Sequence, residues 1–320
     1  MIGQPHGLPS DAMTANSPAH TPAQTTAQTT APTTPSGGLE GSAILVTGGG
    51  TGIGRACALR LAADGAAVTI SGRTETSLSD SVAVINAAAT SSGHGGSARF
   101  VVGDVTKESD VQRMIQTALE PTGALNGVVA NAGGSRGMGP YHLTQTEQFI
   151  ETLHLNVVGT MLCIKHSVPH MVAAGGGSFV GMSSIAGYVT HPYFGAYTVS
   201  KAGIEQMMRN AADEYGAVGL RFNAIRPGFI STEIMEGIPR DSPVYDSYIT
   251  QTPMGGVGEP EDVAALARFL IGADSRWITG TSIAVDGGHG LRRGPDFGPF
   301  LEPALGADVM LAKKPFAPAG

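Results

Sequence analysis

Charge is what this sequence has least of. Only 14% of its 320 residues are Asp, Glu, Lys or Arg, against about 25% in ordinary soluble domains, which points to extensive buried surface, some of it between subunits. The net charge is −7 and no basic run is present, so the electrostatic footprint of a nucleic-acid binder is missing. The two cysteines, Cys57 and Cys163, fall in apolar, helix-like stretches. They read as buried thiols in a reducing compartment, hence a cytoplasmic protein, and not as a disulfide. No apolar run reaches the roughly 18 residues that a membrane span needs. Residues 1–38 are poorer still: Asp11 is their only formally charged side chain, amid Thr, Ala, Pro and Gln. Such a segment buries too little apolar surface to offset its ordering entropy, so a disordered tail is expected. It has neither the basic start and apolar centre of a secretory signal nor the arginines of a transit peptide. Metal ligands are also short. His166 and His170 stand four apart on an expected helix, but Pro169 lies between them and no nearby Glu or Cys completes a set, so no metal site is expected.

Glycine, by contrast, is abundant at 46 residues. The ordered part opens with Ser42-Ala-Ile-Leu-Val-Thr47, a run that suits a buried parallel strand. Gly48-Gly-Gly-Thr-Gly52-Ile-Gly54 follows and leads into an amphipathic helix. A strand, a glycine-rich turn and a helix bring backbone N–H groups and a helix N-terminus onto a pyrophosphate; the same pattern also describes a plain loop. The next strand, residues 67–71, ends in Ser71-Gly72-Arg73-Thr74, with no carboxylate until Glu75. An acidic side chain there would hold the ribose hydroxyls of NAD, whereas a guanidinium between hydroxyl residues suits a 2′-phosphate. NADP(H) is therefore favoured and NAD(H) remains possible. Helices near 75–90 and 107–120 alternate with strands at 99–104, 127–131, 178–182, 220–225 and 282–285. That alternation predicts an α/β fold, a doubly wound parallel sheet of about seven strands with helices on both faces. Gly48, Arg73, Asp104, Asn131, Ser184 and Pro227 all fall at the carboxyl ends of these strands, where such sheets bind ligands.

The stretch from Ser184 to Lys201 carries the chemistry. If the chain after Gly195 is helical, Tyr197 and Lys201 share one face. An ammonium near a phenol stabilises the phenolate and lowers its pKa toward neutrality, the condition for passing a proton to or from an alcohol. Ser184 would supply a hydroxyl to hold a substrate oxygen.

Taken together, Thr47-Gly-x-x-x-Gly-Ile-Gly54, Asp104-Val105, Asn131-Ala-Gly133, Asn156, Ser184, Tyr197-x-x-x-Lys201, Pro227-Gly-x-x-x-Thr232 and Ile278-Thr-Gly-x-x-Ile-x-Val-Asp286-Gly-Gly resemble a short-chain dehydrogenase/reductase. The resemblance is to the compact branch with one Rossmann-type domain, similar to 3-oxoacyl-(acyl-carrier-protein) reductase-like enzymes, and covers roughly residues 40–290. It implies a domain at 39–290 that transfers hydride between a carbonyl or secondary alcohol and a nicotinamide dinucleotide, usually in a homotetramer or dimer. By the same resemblance Tyr197 is the general acid/base, Lys201 lowers its pKa and holds the nicotinamide ribose, Ser184 orients the substrate oxygen, and Asn156 holds a water linking Lys201 to solvent. Thr47, Gly48, Thr51, Gly52, Ile53 and Gly54 would cradle the cofactor. Asp104 and Val105 would lie against the adenine, Asn131, Ala132 and Gly133 along the cofactor, and Pro227, Gly228 and Thr232 near the carboxamide. One departure stands out: some NADP-using relatives carry a basic residue where this chain has Thr51, which leaves discrimination to Arg73. Alternatives are a reductase of enoyl-thioester double bonds and a non-catalytic dinucleotide-binding scaffold.

The segment after Gly228, with Ile234, Met235, Ile238, Tyr245, Tyr248, Ile249 and Met254, is the expected lid over an apolar or bulky substrate. Arg136 and His191 lie where the pocket opens and read as surface and lining positions without an essential role. Residues 291–320 form a Pro-rich C-terminal extension too apolar for a free tail. Phe297, Phe300, Leu301, Leu305, Met310 and Phe316 are expected either on a neighbouring subunit, at a pocket mouth, or on the chain's own core.

Overall fold

Ala43–Thr47 are all buried, as a strand covered on both faces requires, and form β1 at the centre of the sheet. The structure is a computed structural model and describes residues 38–292, 294–295 and 297–315. The expected disorder of residues 1–38, Gly38 apart, and the placing of Phe316 lie outside them. Six further strands run parallel to β1: β2 (Ala67–Gly72), β3 (Ser97–Val102), β4 (Gly127–Ala130), β5 (Gly177–Met182), β6 (Leu220–Pro227) and β7 (Ser282–Val285). Their order is β3-β2-β1-β4-β5-β6-β7. Helices α1 (Gly52–Ala63), α2 (Glu75–Ser92) and α8 (Pro260–Ile271) bury one face. On the other face lie α3 (Glu108–Leu119), α5 (Gly159–Ala173) and α6 (Gly195–Tyr215). The doubly wound, seven-stranded sheet expected from the alternation is therefore present.

Strand order reverses between β1 and β4, where Thr47 is level with Ala130 and, across β2, with Ser71. A crevice opens beyond these ends. β3 stops two residues short of the expected 104. The reason is local: Asp104 Oδ1 accepts bonds from the Thr106 N–H (3.0 Å) and hydroxyl (2.9 Å), a turn that draws the chain off the sheet. Another feature was not legible from periodicity. Between α4 (Thr146–Leu153) and α5, residues His154–Val158 form a turn of π-helix, the kind of bulge that concentrates at functional sites.

Past β6, a 3₁₀ turn (Glu233–Gly237) and α7 (Pro243–Gln251) form the expected lid. It has a small apolar core of its own, Phe229, Val244, Tyr248 and Phe297. Phe297 belongs to the C-terminal extension, which continues as α9 (Gly298–Leu305) and α10 (Ala307–Met310). The described part of the extension thus packs on its own chain. Among the described residues no helix is long and apolar enough to cross a membrane.

Beneath the carboxyl end of β5, Ser183 Oγ lies 3.0 Å from the Lys201 carbonyl oxygen and 2.9 Å from Glu205 Oε1 on α6. Arg226 on β6 grips both Glu205 oxygens through Nε and Nη2. Glu205 is 3% exposed, so its partner cannot be replaced by water. Removing one member of a buried pair leaves an uncompensated charge. Glu205→Ala is expected to destabilise the chain by about 3–5 kcal/mol, and Glu205→Gln by less, as read by thermal or denaturant unfolding.

Candidate active site

The glycine-rich turn is shaped by what its glycines lack. Gly48 adopts φ 66°, and a Cβ on Gly54 would come within 2.2 Å of the Gly48 carbonyl oxygen. Only this sequence lets the turn close onto the first turn of α1. Thr51 is the N-cap of α1, but its side chain makes no capping bond, so N–H groups at that end are left for a ligand. Asn131 is spent on the turn itself. Its Nδ2 donates to the carbonyls of Thr47 (3.1 Å) and Gly48 (3.2 Å), while the N–H groups of Asn131 and Ala132 donate to Thr47 Oγ1 (each 3.1 Å). This tight, N–H-rich cradle fits a dinucleotide pyrophosphate, with Thr47, Asn131 and Gly54 holding its shape.

Other expected contacts sort themselves by position. Ile53 packs against the α1-side core and Ala132 against the opposite one. Val105 is 6% exposed and lies against Gly159, so its side chain is core and not a free surface for adenine. Asp104 is held below the usual carboxylate range: burial pushes it up, but the two Thr106 bonds outweigh this, helped by Arg73 and Lys107. Arg73 is exposed at the end of β2 and makes no hydrogen bond or ion pair among the described residues. Gly228 permits a close crossing, since a Cβ there would meet Asp286 Cα at 2.7 Å, and Pro227 is level with Val285 on β7. Thr232 stands over the turn, its Cγ2 3.2 Å from where a Gly52 Cβ would be. Beside it, Glu233 pairs with Arg55 of α1 at 3.1 Å.

The four residues singled out for chemistry converge. Asn156, fully buried in the π turn, is held by three side-chain bonds: Oδ1 accepts from the Gly134 N–H (2.9 Å), and Nδ2 donates to the Gly134 carbonyl (2.9 Å) and Ser200 Oγ (2.7 Å). Its backbone carbonyl accepts from Thr160 Oγ1 at 2.7 Å. Lys201 is 4% exposed, donates from Nζ to the Met182 carbonyl (2.7 Å), and lies 5.5 Å from the centre of the Tyr197 ring. Gly133 lies over both; a Cβ there would be 2.8 Å from Asn156 Oδ1 and 3.2 Å from Lys201 Nζ. Ser184 Oγ accepts from the Ala186 N–H (3.1 Å) and its hydroxyl lies near enough to the Tyr197 phenol to favour the ionised form.

One expectation needs correction. Burial pushes the Tyr197 phenol above its ordinary value, and the Ser184 hydroxyl offsets this only in part. The four-residue spacing places Lys201 over the ring but does not by itself bring the tyrosine to neutrality. The amine is desolvated too, its pKa lowered from 10.5 to about 8 by burial. His166 meets Glu108 Oε1 at 2.7 Å, which Lys165 also contacts at 2.6 Å. Among the described residues no cluster of three metal-binding side chains occurs. Arg136 is exposed and anchored by its N–H to Thr152 Oγ1 (3.0 Å). His191 is buried, with Nδ1 2.8 Å from the Val189 carbonyl. Sequence reasoning missed Ser183 and Ser200, which bond Lys201 and Asn156, and Glu205 and Arg226, which lie behind Ser183; adjacency to Ser184, Lys201 and Pro227 was the only signal.

Fold and site together define an oxidoreductase that works with a nicotinamide dinucleotide on CH–OH or C=O groups. A family model described as enoyl-(acyl carrier protein) reductase matches residues 48–290. The cis-4-hydroxycyclohexanecarboxylate dehydrogenase of Sinomonas cyclohexanicum is 37% identical over 245 residues, which is 77% of this chain and 95% of that protein. The solved structure of a short-chain type dehydrogenase/reductase from Mycobacterium ulcerans is 43% identical, covers 85% of this chain and 98% of that one, and superposes with a TM-score of 0.82. A 7α-hydroxysteroid dehydrogenase, solved with NADH and 7-oxo glycochenodeoxycholic acid, is 29% identical over 78% of this chain and 94% of its own, with a TM-score of 0.73. The chain belongs to the short-chain dehydrogenase/reductase family.

The state of Lys201 has a measurable consequence. A lysine whose pKa is 10.5 unfolded and about 8 folded leaves the folded state with fewer bound protons between those values, so it costs stability below pH 8 and the cost fades as pH rises to 10.5. Lys201→Met is expected to raise the melting temperature at pH 7, by on the order of 2–3 kcal/mol in stability, with most of the gain gone by pH 10. A gain that persists at pH 10 would mean the amine is not desolvated.

Proposed function

We propose that the chain is an NADP(H)-dependent carbonyl reductase or secondary-alcohol dehydrogenase. The observation that carries this reading is the Ser184 hydroxyl beside the Tyr197 phenol, with the buried Lys201 amine 5.5 Å from the phenol ring centre, because two neighbouring hydroxyls suit a carbonyl oxygen. The Gly48–Gly54 turn, the N-terminus of α1, Gly133, Lys201 and Thr232 would hold the dinucleotide, which would supply or take the hydride. The chain's own groups handle the oxygen. Ser184 Oγ–H holds it in place, and the Tyr197 O–H gives it a proton as negative charge develops there. The raised phenol pKa keeps that proton in place at neutral pH, which suits reduction. Oxidation needs the phenolate, so its rate should climb with pH while reduction stays flat and then falls. Lys201 restores the proton through Asn156 and the solvent path behind it.

NADP(H) over NAD(H) rests on Arg73, exposed and unbonded at the end of β2 with no carboxylate beside it on the strand; the related hydroxysteroid dehydrogenase was solved with NADH, so this is the finer part of the reading. A ring-borne secondary alcohol is favoured by two relatives' names, a hydroxycyclohexanecarboxylate and a hydroxysteroid. The enoyl-reductase reading is favoured by the description of the matching family model; hydride addition to an enoyl thioester also puts charge on a carbonyl oxygen but delivers the final proton to carbon, whereas the Ser184 and Tyr197 hydroxyls suit an oxygen that keeps its proton. Assembly as a tetramer or dimer is supported by exposed apolar Ile150, Met161 and Trp277, and a cytoplasmic setting by the two free, buried thiols.

Titration with NADPH and NADH tests the cofactor assignment: tighter NADPH binding is expected, and Arg73→Ala should weaken it about 10- to 100-fold while changing NADH affinity less than about threefold. Equal loss for both cofactors would remove Arg73 as a phosphate reader. Tyr197→Phe should lower turnover of ketones by about 10²–10⁴-fold with cofactor affinity retained.

A further inference from the structure

The rings around Tyr197 come from three separate parts of the chain. Phe194, on the same turn, has its ring centre 4.8 Å from that of Tyr197. Tyr248 comes from the lid helix α7 and is close enough to Tyr197 for that phenol to disfavour its ionisation. Phe297 comes from the C-terminal extension and joins them, 5.3 Å from Phe194 and 6.4 Å from Tyr248, with 5% of its surface exposed.

The backbone of the extension crosses the cleft between its two rims. Near the start it is pressed against the loop that follows Ser184: a Cβ on Gly294 would overlap the Thr190 carbonyl oxygen at 1.8 Å and meet His191 Nδ1 at 2.9 Å. Phe297 then touches the lid. Further on, the Val309 carbonyl is 2.8 Å from Nε2 of His142, which lies in the 3₁₀ turn Tyr141–Leu143 on the opposite rim. A long acyl chain tethered to a carrier would have to pass through this crossing.

Among the described residues, the groups around Tyr248 and Phe297 are rings. His289 is fully buried and meets the Tyr248 ring edge-on at 5.8 Å. His191 lies 6.4 Å from the same ring, and burial lowers its pKa to about 4, so it is neutral at physiological pH. The titratable neighbours that act on His191 and Tyr248 are His289 and Tyr197 themselves.

We propose that the described residues of the extension, 291–292, 294–295 and 297–315, are a strap closing the substrate cleft of their own chain, and that Phe297 is the wall limiting the enzyme to a compact cyclic ketone or secondary alcohol. This rests on the carbonyl-reductase reading above. Rings stacked around a reacting oxygen bind a flat or alicyclic body by area and shape, and a wall fixed by packing excludes a second fused ring. Phe297 touches the pocket and not the reacting atoms, so its influence belongs in KM and selectivity.

The experiment compares 4-methylcyclohexanone, the fused bicyclic 2-decalone and an acetoacetyl thioester of acyl carrier protein. These are assayed with wild type, Phe297→Ala, Phe297→Leu and His142→Ala, with cofactor affinity measured for each protein. Wild type should prefer the methylcyclohexanone over the other two. Phe297→Ala should raise the bicyclic-to-monocyclic ratio of kcat/KM at least tenfold, through KM, with cofactor affinity changed less than twofold. Phe297→Leu should fall between, and His142→Ala should shift the ratio in the same direction. Unaltered ratios in variants that still bind cofactor would overturn the wall, and a wild type that favours the carrier thioester would overturn the substrate class. A wild type that reduces no ketone at all would instead remove the carbonyl-reductase reading, and this inference with it.

Discussion

The site depends on an amine placed where an ammonium is disfavoured. Lys201 is enclosed by α6, the end of β5 and Gly133, and its Nζ has the Met182 carbonyl as protein partner. Desolvation brings its proton affinity within reach of physiological pH. Such a group relaxes toward solvent unless its surroundings prevent it, and the neighbouring bonds do so. Ser183 ties the end of β5 to the Lys201 backbone, Glu205 and Arg226 fix α6 against β6, and Asn156 pins the loop that carries Gly133 and Gly134. The stability invested in the buried Glu205–Arg226 pair is in this sense what keeps a mobile side chain in a reactive position.

Much of the fold was legible because burial on both faces writes itself into sequence. Parallel strands read as unbroken apolar runs, and all seven were found with their ends within two residues. The turn Gly48–Gly54 was legible for a similar reason: where a Cβ would strike a backbone oxygen, only glycine remains. What was not legible depends on meetings between distant residues. Asn156 finds Ser200 across 44 positions, and Asn131 finds Thr47 across 84; no local pattern announces either pair. The π turn that aims Asn156 is a one-residue irregularity inside otherwise helical periodicity. The Tyr197 phenol shows a different limit. Spacing predicts proximity to Lys201, but the sign of the net effect depends on how much water surrounds both groups, which sequence does not encode.

The extension illustrates the same division. Its apolar content showed that residues 291–320 must pack somewhere, but the acceptor surface is the lid core of Phe229, Val244 and Tyr248, assembled only once α7 has folded. Phe297 completes that core, so lid and strap share one hydrophobic cluster and neither can open without exposing the other. Opening of the cleft is therefore expected to be a joint movement, with the Phe229–Tyr248 stack, centres 4.2 Å apart, carried along as a unit.

This coupling bears on how the enzyme handles protons. A cleft walled by rings and closed by a strap excludes water from the oxygen being protonated, which strengthens the Ser184 and Tyr197 hydrogen bonds. It also deprives Tyr197 of solvent as a proton source, so a route through the protein becomes necessary. On the reading proposed above, that route begins at Lys201, whose pKa burial lowers to about 8, and continues through Asn156, held in the π turn beside it. Substrate entry and proton supply would then use different sides of the tyrosine, and a strap could close over the one without blocking the other.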